Sequence, residues 1–171
     1  MKVFQSIPAL CAALLSTVAM AAGSHGGHDD SDAIGKPGVA ANARRTVTVD
    51  MSDAMRFNPS SISARQGETI RFTIRNTGQV KHEFVLNTEK ELKEHAELMK
   101  KFPEMEHSDP NMVTVAPGKT GEVIWQFTKA GKIDFACLQP GHYDAGMKGA
   151  VTVAAAKGMA KPGDSHAEHK H

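Results

Sequence analysis

The chain has 171 residues, with 20 Lys+Arg against 19 Asp+Glu, a formal charge of +1, nine His, nine Met and two Cys. That length suits one ordinary domain with tails, and at 40% hydrophobic and 23% charged residues the chain is globular rather than fibrous or wholly disordered. A near-zero charge and nine aromatics leave neither a basic footprint nor stacking platforms for nucleic acid, and no apolar run reaches the roughly 18 residues of a membrane-spanning helix.

In chain order, Met1-Lys2 is a short positive start and an apolar stretch runs from Ile7 to Met20. Ala19, Ala21 and Ala22 offer an Ala-x-Ala cleavage site after Ala21. Residues 1–21 therefore read as a secretory signal peptide, and the expected destination is the periplasm of a diderm host. Cys11 leaves with this leader, so Cys137 remains alone in a compartment that oxidises thiols. A lone cysteine there is buried and inert, paired between molecules, or held as a metal thiolate.

Residues 22–43, which include GSHGGHDDSDAIGKPGVAAN, are small, polar and Gly-rich without an apolar period. A flexible His-containing arm is expected there. From 44 to 154 the pattern is one of short strands between Gly and Pro turns. Apolar residues alternate in RRTVTVDM, SISARQG, TIRFTIRNTG and HEFVLN, and Met112–Val115, GEVIWQF, GKIDFACL and GAVTVA follow. Seven or eight such strands predict an all-β, antiparallel sandwich. Thr88–Phe102 breaks the period: Leu92, His95, Met99 and Phe102 recur at helical spacing. Thr88 and Glu91 form a capping-box pattern, Lys100-Lys101 suit the last turn, and Pro103 stops the helix. With the loop PEMEHSDPN it makes an inserted helical, Met/His-bearing segment over 88–111. Residues 155–171, with His166, His169 and His171, are expected to be a flexible His-rich tail.

The chemistry concentrates in C-x4-H-x4-M: Cys137, His142 and Met147 fall on one tight loop between two strands. Pro140, Gly141 and Gly146 let that loop turn sharply. His82 opens HEFVLN, 55 residues before Cys137. A thiolate, two imidazoles and a weak thioether are the donors of a mononuclear blue-copper site, because sulfur holds soft Cu(I) while imidazole also accommodates Cu(II). Zinc fits poorly, since a structural zinc site uses four strong ligands and Met is not one. Taken singly, each residue has a plainer role: Cys137 as a small buried hydrophobe, either His as a hydrogen-bonded group, Met147 as core filler. Their joint spacing, in an exported sandwich with one unpaired cysteine, favours copper.

These pieces resemble the cupredoxins, the type 1 blue-copper family of plastocyanin, azurin, auracyanin and rusticyanin. The resemblance rests on MRFNPSSISARQGETIRFTIRNTG, KHEF and DFACLQPGHYDAGMKGAVTV, and spans Arg44 to Val153. It implies a Greek-key β-sandwich with one type 1 copper cycling between Cu(I) and Cu(II). His82, Cys137 and His142 would be the equatorial ligands and Met147 the axial one. The loop is most similar in length to those of auracyanin and rusticyanin. The His-bearing arm, the HEF strand and the Met/His insertion are most similar to periplasmic copper-tolerance members. In many members an Asn follows the first His and ties the ligand loops together. Here that residue is Glu83, which when ionised cannot donate a hydrogen bond. Restraint and charge beside the copper should therefore differ, unless Glu83 simply points to solvent at a strand edge.

Further soft or borderline donors could hold additional copper weakly: His25 and His28 in the arm, and His95, Met99, Met105, His107 and Met112 in the insertion. His95 and Met99 share a helix face, yet they also complete the face that must pack on the sandwich, and packing is favoured. The expected function is copper tolerance or homeostasis in the periplasm with electron-transfer capacity. The alternative is a dedicated electron carrier whose partner docks at His142, ringed by Leu138 and Pro140. A copper oxidase or nitrite reductase is disfavoured because no His-x-His pair lies within 44–154. A metal-free structural sandwich with an inert Cys137 is the remaining class. A monomer is expected.

Overall fold

The computed structural model describes residues 31–105 and 108–156. A short helix, α1 (Ser31–Ile34), precedes strands β1 (Lys36–Pro37), β2 (Arg45–Ser52), β3 (Arg56–Asn58), β4 (Ser61–Arg65), β5 (Thr69–Asn76) and β6 (His82–Asn87). Helix α2 (Glu89–Lys101) comes next, then β7 (Met112–Val115), β8 (Thr120–Gln126), β9 (Gly131–Ala136) and β10 (Lys148–Ala154). One sheet has the order β1-β8-β5-β2-β3 and the other β4-β10-β9-β6-β7. The chain is thus an all-β sandwich with one substantial inserted helix. The described residues form ten strands where the alternation predicted seven or eight. The additional β1 and β3 are two and three residues long, too short to show a period of two. Pairing is not antiparallel throughout either, because β2 with β5 and β4 with β10 run parallel. After β3 the chain crosses to the second sheet as β4 and returns as β5, so neither parallel pair is joined by a hairpin.

Alternation decides what the sandwich encloses. Val49 and Met51 of β2, Ile70, Phe72 and Ile74 of β5, Phe84 and Leu86 of β6, Ile133 and Phe135 of β9, and Val151 and Val153 of β10 all turn inward. Each such side chain contributes roughly 1.5–3 kcal/mol when fully buried. Phe57 binds the two sheets together, meeting Phe135 edge-on at 5.1 Å and Phe84 at 6.0 Å between ring centres. Cys137 and Met147 belong to this same cluster, at the end of the sandwich where the loop after β9 closes.

The opposite face of the second sheet is covered by α2. Thr88 caps the helix as predicted, its hydroxyl accepting from Glu91 N–H at 3.3 Å, while Lys100 and Lys101 occupy the last turn. Leu92, Ala96 and Met99 pack on Val85, Met112, Ala136, Leu138 and Tyr143. Phe102, expected on this face, is 53% exposed. Its backbone has left the helical path at φ −132° and ψ 67°, so its side chain no longer follows the Leu92–Met99 stripe.

The packed part of the chain begins ahead of Arg44, where the boundary was expected. β1 pairs with β8, Ile34 is buried, and the Trp125 indole N–H donates to the Ile34 carbonyl at 2.7 Å. Gly35, at φ +107°, permits this approach, because a Cβ there would lie 2.2 Å from the Gln126 carbonyl oxygen. Composition hid the attachment: it needs one apolar side chain, one glycine and a partner strand far along the chain. The rest of the expected arm, residues 22–30, lies outside the described residues, as do the signal peptide over 1–21 and residues 157–171 of the tail. No described helix is long and apolar enough to cross a membrane.

Candidate metal centre

Three separate parts of the chain supply the site. β9 delivers Cys137, β6 opens with His82, and the loop from 138 to 147 carries His142 and Met147. The loop is wound tightly on itself. Amides of His142, Ala145, Gly146 and Met147 donate to the carbonyls of Gln139, Gly141, Tyr143 and His142. Its base is closed by Cys137 N–H donating to the Met147 carbonyl at 3.1 Å. Arg56 of β3 holds it from the side, donating to the carbonyls of Ala145 at 3.0 Å and Met55 at 2.7 Å.

The donor atoms form a small triangle. His82 Nδ1 lies 3.2 Å from His142 Nδ1 and 3.9 Å from Cys137 Sγ, and His142 Nδ1 lies 3.2 Å from that sulfur. The circle through atoms so spaced has a radius of about 2 Å, the reach of a first-row metal to imidazole nitrogen and, slightly longer, to thiolate sulfur. Both imidazoles present the same nitrogen inward. His82 and Cys137 are fully buried and His142 is half-buried. Met147 is fully buried beside Cys137 in the core cluster. Among the described residues, His82, Cys137 and His142 make up the one cluster of His, Cys or acidic side chains with such spacing.

Electrostatics favour a neutral His142 and a protonated Cys137 thiol until a cation arrives. Burial pushes the Cys137 thiol up to about 12, against the lowering effect of the Glu83 and Gln139 backbone amides. Burial, and then the neighbouring His82, hold His142 below the ordinary imidazole range. A metal ion at the centre of the triangle would displace the thiol proton and meet the His142 lone pair free.

Glu83 does not point to solvent. Its side chain is buried, its backbone N–H donates to Cys137 Sγ at 3.2 Å, and its Oε1 accepts from Gln139 Nε2 and from Thr114 Oγ1. The His82 strand and the Cys137–His142 loop are thus tied together with the carboxylate as acceptor, the reverse of an Asn donor. Glu83 Oε2 is buried with no hydrogen-bond partner.

Three supporting residues carry no sequence signal. Asn76, also buried, donates to the carbonyls of Val80 at 2.8 Å and Val115 at 2.9 Å, and accepts from Gly78 N–H. It thereby braces the turn that leads into His82. Asp53 and Arg56, both in or beside the β2–β3 turn, contact His82 and the Cys137–Met147 loop respectively. Asp53 and Arg56 lie 29 and 89 positions from these partners and Asn76 lies 39 from Val115, and local periodicity is blind to such separations.

The remaining donors are dispersed. Met99 and Met112 are buried in the cluster beneath α2, which favours packing for both. His95 is half-buried on the flank of α2, and Met105 is 42% exposed beyond the helix. His25, His28 and His107 lie outside the described residues. Leu138, expected to ring His142, is instead buried under α2, while Pro140 is exposed.

A two-sheet sandwich whose end gathers two imidazoles and a thiolate around a point about 2 Å from each defines a mononuclear copper protein of the type 1 class. The chain belongs to the copper-binding plastocyanin/azurin family, whose model matches residues 43–154. A copper-resistant cuproprotein CopI from Rubrivivax gelatinosus is 52% identical over 155 residues, covering 84% of this chain and 93% of that protein. A protein of the same name from Pseudomonas aeruginosa is 37% identical over 172 residues, covering 82% and 90%. Among solved structures, auracyanin B superposes with a TM-score of 0.58 at 25% identity, over 70% of this chain and 96% of that one. Copper is therefore the cofactor, and the donor set fits it.

Proposed function

We propose that the chain is a periplasmic copper-tolerance protein that holds one type 1 copper through His82, Cys137 and His142, with Met147 as the axial ligand. The observation that carries this reading is the buried Nδ1–Nδ1–Sγ triangle. Tolerance is supported by the two relatives named for copper resistance, each covered over nine-tenths or more of its length. When bound, copper supplies one-electron chemistry between Cu(I) and Cu(II).

The protein's own part is to fix the donors. Closure of the loop at Cys137 and Met147, together with the Glu83 tie, sets the donor spacing before metal enters and limits rearrangement when the charge changes. Burial of Cys137 keeps the thiolate from water and from oxidants in an oxidising compartment. His142 is the one of the three donors that is not fully buried, so an electron would enter or leave by its edge. That exposure also supports a second reading, in which the chain is an electron carrier docking a redox protein at His142 beside Pro140.

A growth test separates tolerance from carriage alone. A host lacking the gene should grow poorly on high copper, and the parent protein should restore growth while Cys137→Ser should not. Full restoration by Cys137→Ser would show that the buried centre is not the tolerance device.

A further inference from the structure

The distal nitrogen of His82 does not meet a backbone carbonyl. It meets a carboxylate: Asp53 Oδ1 lies 3.1 Å from His82 Nε2, and the imidazole is fully buried. The chain has built a holder around that carboxylate. Asp53 Oδ2 accepts from Gln79 N–H at 2.7 Å, and Oδ1 accepts from Val80 N–H at 3.4 Å. Gly78 leaves the room for it, because a Cβ at that position would lie 1.9 Å from Asp53 Oδ1. Asn76 and Thr77 fasten the same turn, Asn76 to Val80 and Val115, Thr77 to the Met51 carbonyl at 2.8 Å. Five residues ahead of His82 thus serve to present one acceptor to its outer nitrogen.

From this geometry we infer that Asp53 is the positioning residue of the centre: it holds His82 in the tautomer protonated on Nε2 and tunes the copper through that imidazole. The inference rests on the reading of His82 as a copper ligand. With Nε2–H given to Asp53, the Nδ1 lone pair is left for the metal, facing His142 Nδ1 and Cys137 Sγ. A carboxylate accepting that N–H also raises the electron density of the imidazole, which stabilises Cu(II) more than Cu(I). Asp53 therefore lowers the potential of the centre and keeps His82 ready before copper arrives.

The test uses the full chain with Asp53→Asn and Asp53→Ala. Asn keeps an acceptor for Nε2–H and removes the charge. Copper-loaded Asp53→Asn should retain the thiolate-to-copper band and lose about tenfold in its preference for Cu(II) over Cu(I), a rise of about 59 mV for a one-electron couple. An unchanged potential in Asp53→Asn would overturn the tuning role, even if thermal stability fell. The metal-free proteins test the hold on the ring separately, through imidazole nitrogen-15 shifts. The parent should show His82 as the Nε2–H tautomer and Asp53→Ala a mixture of both. Identical shifts in the two would overturn the positioning role. If the parent develops no thiolate-to-copper band, the copper reading fails, and the nitrogen-15 comparison still decides whether Asp53 orders His82.

Discussion

Around His82 and Cys137, the decisive contacts are made by backbone amides and carboxylates rather than by further metal donors. Glu83 contributes both, its N–H to the Cys137 sulfur and its carboxylate to Gln139 and Thr114. Glu83→Ala should leave Gln139 unanchored, loosen the Cys137–His142 loop and weaken copper binding by about 10–100-fold, measured by competition with a chelator. Glu83→Gln, which keeps an acceptor oxygen, should lose less; equal affinity in parent and Glu83→Ala would show that the tie does not hold the site. Met147 makes a different demand. In the proposed role of weak axial donor it would tune potential more than hold metal, so Met147→Leu should keep the coloured centre and raise its potential. Loss of copper in Met147→Leu would mean that the thioether is a principal ligand.

The elements divide into those that present donors and those that cover the sheet. α2 belongs to the second kind. Met99 is 1% exposed and packs with Leu92 and Ala96 on Val85 and Met112. Met99→Ala should therefore cost about 2–5 kcal/mol in denaturant unfolding and leave the copper stoichiometry as it was. A smaller stoichiometry with unchanged stability would make Met99 a ligand. The segment before β2 is a second cover. Ile34 is buried against the main core and Trp125 hydrogen-bonds its carbonyl, so Ile34→Ala should destabilise the fold by about 2–4 kcal/mol without altering the visible spectrum.

Over the whole molecule, folding and metal affinity are coupled through the thiol. Burial raises the Cys137 pKa from 9.0 in an ordinary setting to about 12, so the folded metal-free protein keeps its thiol proton over a range where the unfolded chain loses it. That contribution is fully present below pH 9.0 and is lost as pH rises toward about 12, so parent and Cys137→Ser unfolding curves should diverge over that window. Parallel curves would show that the thiol is not desolvated in the fold. Copper must expel the same proton, and its binding therefore weakens as pH falls.

The large strands and the ligand loop were legible in the sequence because each is a local pattern: alternation in TIRFTIRNTG, a cap and a stripe in α2, C-x4-H-x4-M after β9. β1 and β3 were hidden by their shortness. Asp53, Asn76 and Arg56 were hidden because what they do depends on partners brought near only by the crossing of strands between sheets. Glu83 was visible as a departure, but its burial and its role as acceptor needed Gln139 and Thr114 in place.

The most direct measurement is a copper titration of the protein lacking residues 1–21, following visible absorbance and bound metal together with a competing chelator present. An intense thiolate-to-copper band that saturates at one copper per chain, and is absent from Cys137→Ser, is the predicted result. No such band in the parent, or an undiminished one in Cys137→Ser, would contradict a copper centre built on His82, Cys137 and His142.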